Sequence, residues 1–302
     1  MKNIKMKLIM ISFCVSVIFI TNVKALSIED FNNSETVKTT ASSTITREEY
    51  LKLKENYSDL MIDTFTQDSI DVILKDNSNY VEEYIVTTTY ADYFGNIIST
   101  QEENITKDEM EAIISEGDYQ VRRDVLPYTW KVDYTTTYKH LLMTINKNSD
   151  LYIVSIYNDW LKMPQVKKYD VIASRWEGNA IYSGGIEGLQ NVKLKDGKTN
   201  FTMYNLDAGL DHIVFDNKGV GISMNLYDNA TEIVNSMSYH LSNASKNKIV
   251  GTYQHASNNT ITLEESTSYK ITANGLGGCI SFKTTAINNK YDGMKGIYYN
   301  LP

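Results

Sequence analysis

The chain has 302 residues with 37 acidic and 29 basic side chains, so its formal net charge is −8, and it contains 22 tyrosines. Nucleic-acid binding requires lysine and arginine to neutralise phosphates, and attachment to anionic lipids requires clustered basic residues. The charge therefore argues against both kinds of partner, and the length suffices for one large hydrophobic core or two small ones.

The first 25 residues have the pattern of a secretory signal peptide. Basic "MKNIKMK" precedes a run of 13 apolar residues from Leu8 to Ile20, and small residues follow at Val23 and Ala25. Because about 20 apolar residues are needed to span a bilayer, the run predicts secretion with cleavage after Ala25, and no stable membrane insertion. Cleavage removes four lysines and no acid, which changes the net charge from −8 to −12. The chain ends in "GIYYNLP" without an apolar tail, so we expect no anchor there.

Capping signals follow a polar segment. Residues 26–45 are small and polar with little to bury, which is typical of a flexible leader. Thr46 and Glu49 have the spacing of a capping box, in which each side chain satisfies a backbone N–H at a helix start. Thr66 is a second candidate N-cap. We therefore predict two short helices in tandem.

Residues 46–125 read as a small α+β region. Tyr80–Tyr90 is β-branched and aromatic, as strands are, and a turn at Gly95–Asn96 separates it from a second strand. Thr106 and Glu109 then repeat the capping-box spacing. The predicted order is helix, helix, hairpin, helix.

Residues 126–302 carry mostly strand signals. The phase of the alternation changes near Lys139, which predicts a bulge or bend there. "LYIVSIY" is almost continuously apolar, as a strand covered on both faces would be. Further candidate strands lie on both sides of the turn Asp216–Gly219 and at 248–255, 268–273 and 278–284. Short strands at this spacing favour an antiparallel β-sandwich-like domain, so the fold class expected is α+β, predominantly β.

The stretch "NDWLKMPQVKKYDVIASRW" contains two of the three tryptophans. A proline cannot donate to a central ladder, so Pro164 favours a strand end, a corner and a new strand. Two interpretations of the large rings stay open. They cap the end of the core, or Trp160, Trp176 and Tyr169 form an exposed platform that stacks on a sugar or peptide.

The same stretch, together with "ITREEYLKLKENYSDLMIDTFTQDSID", resembles a group of secreted proteins from Gram-positive bacteria. That group combines a signal peptide, a short helical segment near "EEYxxL" and a β-rich region with W-x-K-M-P-x-x-x-x-Y-D. The matching positions are Glu48, Glu49, Tyr50, Leu53, Trp160, Lys162, Met163, Pro164, Tyr169 and Asp170. The resemblance implies a secreted chain that is helical first and β-rich afterwards, and it carries over no catalytic residue.

The sequence contains no strong pattern of catalytic residues. Cys279 is a conceivable nucleophile beside a histidine, but its strand-like surroundings favour a buried structural thiol. His240 and His255 allow a serine–histidine–acid set only if the fold assembles one. Glu82–Glu83 and Glu264–Glu265 are sequence neighbours that would point to opposite faces of a strand, which favours solvated charge. No metal-ligand motif and no cofactor motif is present, so we expect neither a metal nor a cofactor.

The leading functional hypothesis is a secreted, non-catalytic binding or cell-surface interaction module whose partner is a carbohydrate or a protein. The alternative is an extracellular hydrolase that acts on cell-wall or other extracellular polymer through residues that the sequence does not single out. Missing catalytic signatures favour the first hypothesis. The sequence does not decide whether the chain is an enzyme.

The signal peptide generates a direct prediction. N-terminal sequencing of the protein recovered from culture medium should begin at Leu26, because the small residues at Val23 and Ala25 fit the cleavage site. Recovery of the chain only from membranes, with residues 1–25 still attached, would contradict this prediction.

Overall fold

The computed structural model describes residues 26–75, 79–91, 97–115, 133–207, 210–272, 278–293 and 296–302. The predicted signal peptide, the turn at Gly95–Asn96 and the predicted boundary between residues 125 and 126 lie outside the described residues. Among the helices in these ranges, none is both long enough and apolar enough to cross a bilayer.

The helices predicted to start at Thr46, Thr66 and Thr106 do begin there, and an unpredicted helix over Asp59–Thr64 lies between the first two. The α-helices of the described residues are α1 (Arg47–Lys54), α2 (Asp59–Thr64), α3 (Gln67–Leu74), α4 (Lys107–Ser115), α5 (Leu263–Ser266) and α6 (Thr285–Asn288), with 3-10 helices at Ile28–Asn33 and Leu210–His212. At the start of α1, Glu49 N donates to Thr46 Oγ1 at 3.2 Å and Thr46 N donates to Glu49 Oε2 at 2.8 Å. Thr106 and Glu109 repeat both bonds at α4. Each predicted capping box is confirmed.

The strands form two large antiparallel sheets. They are β1 (Thr36–Lys38), β2 (Thr44–Thr46), β3 (Tyr80–Ala91), β4 (Ile97–Ile105), β5 (Asp133–Asn148), β6 (Leu151–Lys162), β7 (Tyr169–Trp176), β8 (Ile181–Leu194), β9 (Thr199–Asn205), β10 (Ile213–Asp216), β11 (Gly219–Asn225), β12 (Ala230–Ser242), β13 (Lys248–Gln254), β14 (Tyr269–Ile271), β15 (Ile280–Phe282) and β16 (Gly296–Asn300). One sheet has the order β4-β3-β5-β6-β12-β8-β9, and the other has the order β10-β11-β7-β13-β16. β1–β2 and β14–β15 are separate antiparallel pairs. The predicted fold class, predominantly β with a sandwich, is confirmed.

Apolar clusters cover both sheets on both sides. The largest cluster fills the space between the sheets and includes Ile156, Ile172 and Met237. A second cluster joins α1–α3 to the outer face of the seven-stranded sheet. A third joins β14, β15 and α6 to the outer face of the five-stranded sheet. The molecule therefore has four layers, and a side chain near the centre of either sheet has no direct route to water.

The corner predicted around Pro164 is the crossing between the two sheets. β6 lies in the seven-stranded sheet and ends at Lys162, whereas β7 lies in the five-stranded sheet and begins at Tyr169. The bulge predicted near Lys139 is also present, because the register between β5 and β6 shifts between Tyr138 and Lys139. Such a bulge re-aims the side chains next to it.

The predicted regions 46–125 and 126–302 share one sheet. β3 pairs with β5 in a register that runs from Tyr80 opposite Thr144 to Ala91 opposite Asp133. The hairpin of β3 and β4 has an edge that needs a partner, and β5 supplies it. The helical region packs on the same sheet through α2 and α3.

Residues 26–45 differ from the flexible leader that composition predicts. They contain a 3-10 helix and the β1–β2 pair, in which Val37 lies opposite Ile45. Leu26, Phe31 and Ile45 are buried in the cluster formed with α1–α3. A few apolar residues suffice for order here because the helices present an apolar surface to receive them.

This packing predicts that Phe31→Ala lowers the free energy of unfolding by about 3 kcal/mol, since the substitution removes a buried ring and leaves a cavity. The Phe31 ring is 6% exposed, with its centroid 5.2 Å from that of Tyr50. Denaturant unfolding of the chain from residue 26 measures the change. Glu35→Ala, at an exposed site of the same segment, should change the value by less than about 0.5 kcal/mol. Equal stability of both variants would mean that the segment behaves as a flexible leader.

Candidate functional site

The two indoles of the corner stretch lie inside the sandwich. Trp160 is 3% exposed and Trp176 is 2% exposed. The Trp160 Nε1–H donates to the Tyr253 hydroxyl at 3.2 Å, and the Trp176 ring packs against Tyr239 with centroids 5.5 Å apart. This placement agrees with the interpretation that the rings cap the core. The described structure does not form a stacking platform from Trp160 and Trp176.

Asp170 is the centre of a buried hydrogen-bond network beside Trp160. Its Oδ1 accepts from Ala256 N at 2.9 Å and lies 2.8 Å from His255 Nδ1. Its Oδ2 accepts from the Tyr253 hydroxyl at 2.6 Å. An indole, an imidazole and an acid are thus adjacent, but Asp170 is fully buried and the His255 side chain is only 7% exposed. A buried, satisfied network of this kind specifies the packing of a core.

The network continues into the seven-stranded sheet. Asn235 Nδ2 donates to the Tyr253 hydroxyl at 2.6 Å, and Gln190 Nε2 donates to Asn235 Oδ1 at 2.9 Å. Burial raises the pKa of Tyr253 well above its usual value. These bonds connect β7 and β13 of one sheet with β12 and β8 of the other.

A buried amine–carboxyl cluster adjoins this network. Lys139 Nζ donates to Glu102 Oε1 at 2.5 Å and to Asp292 Oδ2 at 2.7 Å. The side chains of Lys139 and Asp292 are 0% exposed and that of Glu102 is 2% exposed. Burial raises the pKa of the Asp292 carboxyl well above its usual value. For Lys139, burial disfavours the ammonium, but the two carboxyls outweigh this effect and raise its pKa.

Asp292 is held by the backbone beside His255. Its Oδ1 accepts from His255 N at 2.9 Å, and its own N–H donates to the His255 carbonyl at 2.9 Å. Gln254 Nε2 donates to the Asp292 carbonyl at 3.0 Å. The Lys139 cluster and the Asp170 network therefore meet at the segment that follows β13.

A third cluster surrounds His140 where the helices meet β3, β5 and β6. The His140 ring stacks on Tyr84 at 4.3 Å and on Tyr57 at 6.0 Å between centroids. Its Nε2 lies 3.1 Å from Glu82 Oε2, and the Glu82 side chain is 35% exposed. The expected solvated charge agrees with the exposure of Glu82, and the structure adds His140 as a partner for this carboxylate. The hydrogen bond with His140 lowers the pKa of Glu82.

Asp159 faces His140 from the neighbouring strand. It is 5% exposed and accepts from Ser58 Oγ at 2.8 Å. Burial raises the pKa of Asp159 to about 6, and the bond from Ser58 lowers it by less. The cluster thus contains two carboxyls whose pKa values move in opposite directions, an arrangement that separates a proton donor from a proton acceptor.

The remaining sequence candidates do not form a catalytic set. Cys279 is fully buried, its backbone N–H donates to Thr252 Oγ1, and burial raises the pKa of its thiol to about 12. The polar face around His240 includes Glu232, which accepts from Lys193 Nζ at 2.6 Å. Within the described ranges, no three histidine, cysteine or acidic side chains are placed to hold a metal ion.

Tyr169 is the sequence candidate that stays partly exposed. Its ring centroid lies 6.2 Å from that of His212, which also contacts Tyr204 at 5.1 Å. His212 ends the 3-10 helix that begins with Leu210, which is 59% exposed, and Leu206 nearby in the chain is 50% exposed. We call Tyr169, Leu206, Leu210 and His212 the Tyr169–His212 face.

A groove of about 550 Å³ also opens on the described surface, between the first 3-10 helix and the start of α1. Its lining is Phe31, Asn32, Ser34, Glu35, Thr46, Arg47 and Glu48. It contains no histidine and no cysteine, so a serine there has no imidazole to activate it.

Asp159 generates a pH prediction. Its folded pKa of about 6 exceeds the ordinary value of 3.8, so the folded state holds a proton that the unfolded state releases between these values. The contribution of this group to the free energy of unfolding should fall by roughly 3 kcal/mol as the pH rises from about 4 to about 6. Asp159→Asn should remove this dependence. Asp150→Asn, at an exposed turn, should not, and parallel pH profiles for the wild type and Asp159→Asn would contradict the prediction.

Known proteins do not identify the chain: no protein-family model and no curated protein matches it. The resemblance of the corner stretch to secreted Gram-positive proteins therefore stays an expectation from the sequence.

Proposed function

We propose that the chain is a secreted, non-catalytic module that binds a protein partner at a cell surface through the Tyr169–His212 face. One contrast carries the proposal. The acids and imidazoles of the Asp170 network bind one another in the interior, whereas Leu206 and Leu210 place apolar side chains in water. β9, which ends just before Leu206, contacts the 3-10 helix that contains Leu210, and clustered exposed apolar residues are typical of interaction sites.

A protein partner fits this face better than a carbohydrate does. The interpretation that Trp160, Trp176 and Tyr169 form a platform for a sugar or peptide needs exposed indoles, and both indoles are buried. The exposed side chains at the face are mainly leucines beside a tyrosine and a histidine, and apolar and aromatic anchors are typical of the centres of protein interfaces. A carbohydrate partner stays the other outcome of the experiment below.

A specific observation favours the hydrolase alternative. Glu82 and Asp159 flank His140, and their pKa values move in opposite directions. A glycoside hydrolase uses one carboxyl as the acid and another as the base or nucleophile. In that case Asp159 would supply the proton and Glu82 the carboxylate.

The experiment measures binding of the labelled chain from residue 26 to intact cells of the organism that produces it. We expect saturable binding that treatment of the cells with protease abolishes and treatment with periodate, which oxidises sugars, leaves intact. Leu206→Ser/Leu210→Ser should weaken binding by at least about tenfold, because the loss of interface anchors costs more than about 1 kcal/mol. Its unfolding midpoint should stay at the wild-type value.

Leu51→Ser is the matched control, since Leu51 is 43% exposed on α1, away from this face. It should bind as the wild type does. Loss of binding after periodate treatment would assign a carbohydrate partner instead. Release of soluble fragments from purified cell walls, abolished by Asp159→Asn, would contradict the proposal and support the hydrolase.

A further inference from the structure

Formation of an amide between two side chains needs an amine and a carboxyl in contact. Water must be excluded, so that hydration no longer stabilises the ammonium and the carboxylate relative to their neutral forms. Contact converts a slow bimolecular condensation into a much faster intramolecular step. A third group must accept the proton of the ammonium and return protons during the reaction. A donor must also stabilise the oxyanion of the tetrahedral intermediate.

The Lys139 cluster meets the first requirement. Lys139 Nζ lies 2.7 Å from Asp292 Oδ2, and both side chains are 0% exposed. The Trp160 ring lies beside the amine, with Nζ 5.9 Å from its centroid. The two ends of the contact belong to different parts of the fold, since Lys139 lies in β5 and Asp292 lies four residues before β16.

Glu102 meets the second requirement. Its Oε1 accepts from Lys139 Nζ at 2.5 Å and also from Thr87 Oγ1 at 3.2 Å. Its Oε2 is buried and has no hydrogen-bond partner among the described residues. One oxygen therefore touches the amine, while the carboxylate keeps a second site for a proton.

The backbone meets the third requirement. Asp292 Oδ1 accepts from the His255 N–H at 2.9 Å. This donor is fixed by the reverse bond from Asp292 N to the His255 carbonyl at 2.9 Å. A fixed N–H aimed at one carboxyl oxygen is the arrangement that stabilises an oxyanion.

We propose that Lys139 and Asp292 form an intramolecular isopeptide bond, with Glu102 as the catalytic residue that transfers protons. The ammonium of Lys139 gives one proton to the Glu102 carboxylate, and the neutral amine attacks Cγ of the protonated Asp292. The new C–N bond forms, and Glu102 relays a proton from this nitrogen to the departing hydroxyl. The C–O bond breaks, one water leaves, and the products are an amide and a neutral Glu102. No oxidant or reductant takes part.

The bond would connect the two sheets covalently. It joins β5 of the seven-stranded sheet to the segment that leads into β16 of the five-stranded sheet, across 153 positions of the sequence. After removal of the predicted signal peptide the chain retains a single cysteine, so an intramolecular disulfide cannot provide such a link. The inference does not depend on the identity of the binding partner.

Intact-mass spectrometry of the folded chain from residue 26 tests the proposal. The wild type should lack the mass of one water, and trypsin should release residues 132–147 joined to residues 291–295, because a modified Lys139 is not cleaved. Lys139→Met should retain the full mass, since it removes the amine while it keeps an apolar chain in the buried site. Glu102→Gln keeps both reacting groups and should form the bond at least about 100-fold more slowly.

An exposed lysine–carboxylate pair in the same protein is a control for the effect of burial on bond formation. Lys193 Nζ lies 2.6 Å from Glu232 Oε1, but these side chains are 42% and 41% exposed. No linked peptides should contain this pair. A folded wild type with the full sequence mass would overturn the proposal, and wild-type kinetics in Glu102→Gln would overturn the role of Glu102. Both readouts are independent of cell binding, so they separate this proposal from the proposed function.

Discussion

Both large sheets are covered on both faces, and this constraint decides how the ionisable side chains of the interior behave. A charge removed from water is costly unless another group compensates it, so each buried acid needs a partner inside the protein. Asp170 obtains three hydrogen bonds from residues 253–256. Asp292 obtains Lys139 and a backbone N–H of the same segment. The segment that follows β13 is therefore the point at which the polar interior is held together.

The need to pair buried charges also brings together residues that are far apart in the sequence. Glu102 comes from the N-terminal hairpin, Lys139 from the first long strand that follows it, and Asp292 from the last segment before β16. The attraction within an ion pair in this position weakens when water reaches it. An amide would replace the buried ammonium and its carboxylate partner by uncharged groups, and it would keep the sheets connected even when the packing between them loosens.

The residues that stabilise the fold lie in the interior, whereas the residues proposed to bind a partner lie at the surface. The indoles of Trp160 and Trp176 and the imidazole of His255 lie in the interior and take part in its packing. The surface proposed for a partner, the Tyr169–His212 face, is built from less conspicuous residues, mainly Leu206 and Leu210. The His140 cluster lies between these two cases, because Asp159 is buried while Glu82 reaches water. It is the part of the described structure on which the hydrolase alternative rests.

The sequence by itself determined the features that depend on neighbours along the chain. Capping boxes at Thr46 and Thr106, the bulge beside Lys139 and the corner at Pro164 follow from spacing and backbone chemistry over a few residues. The position of Asp170, two residues before Ile172 on the same strand face, was the available sign of a buried acid. Its partner His255 could not be predicted, because the pairing spans 85 positions of the sequence. Only the tertiary structure decided this pairing, the order of residues 26–45 and the contact of Lys139 with Asp292, since each depends on which strands and helices become neighbours in space.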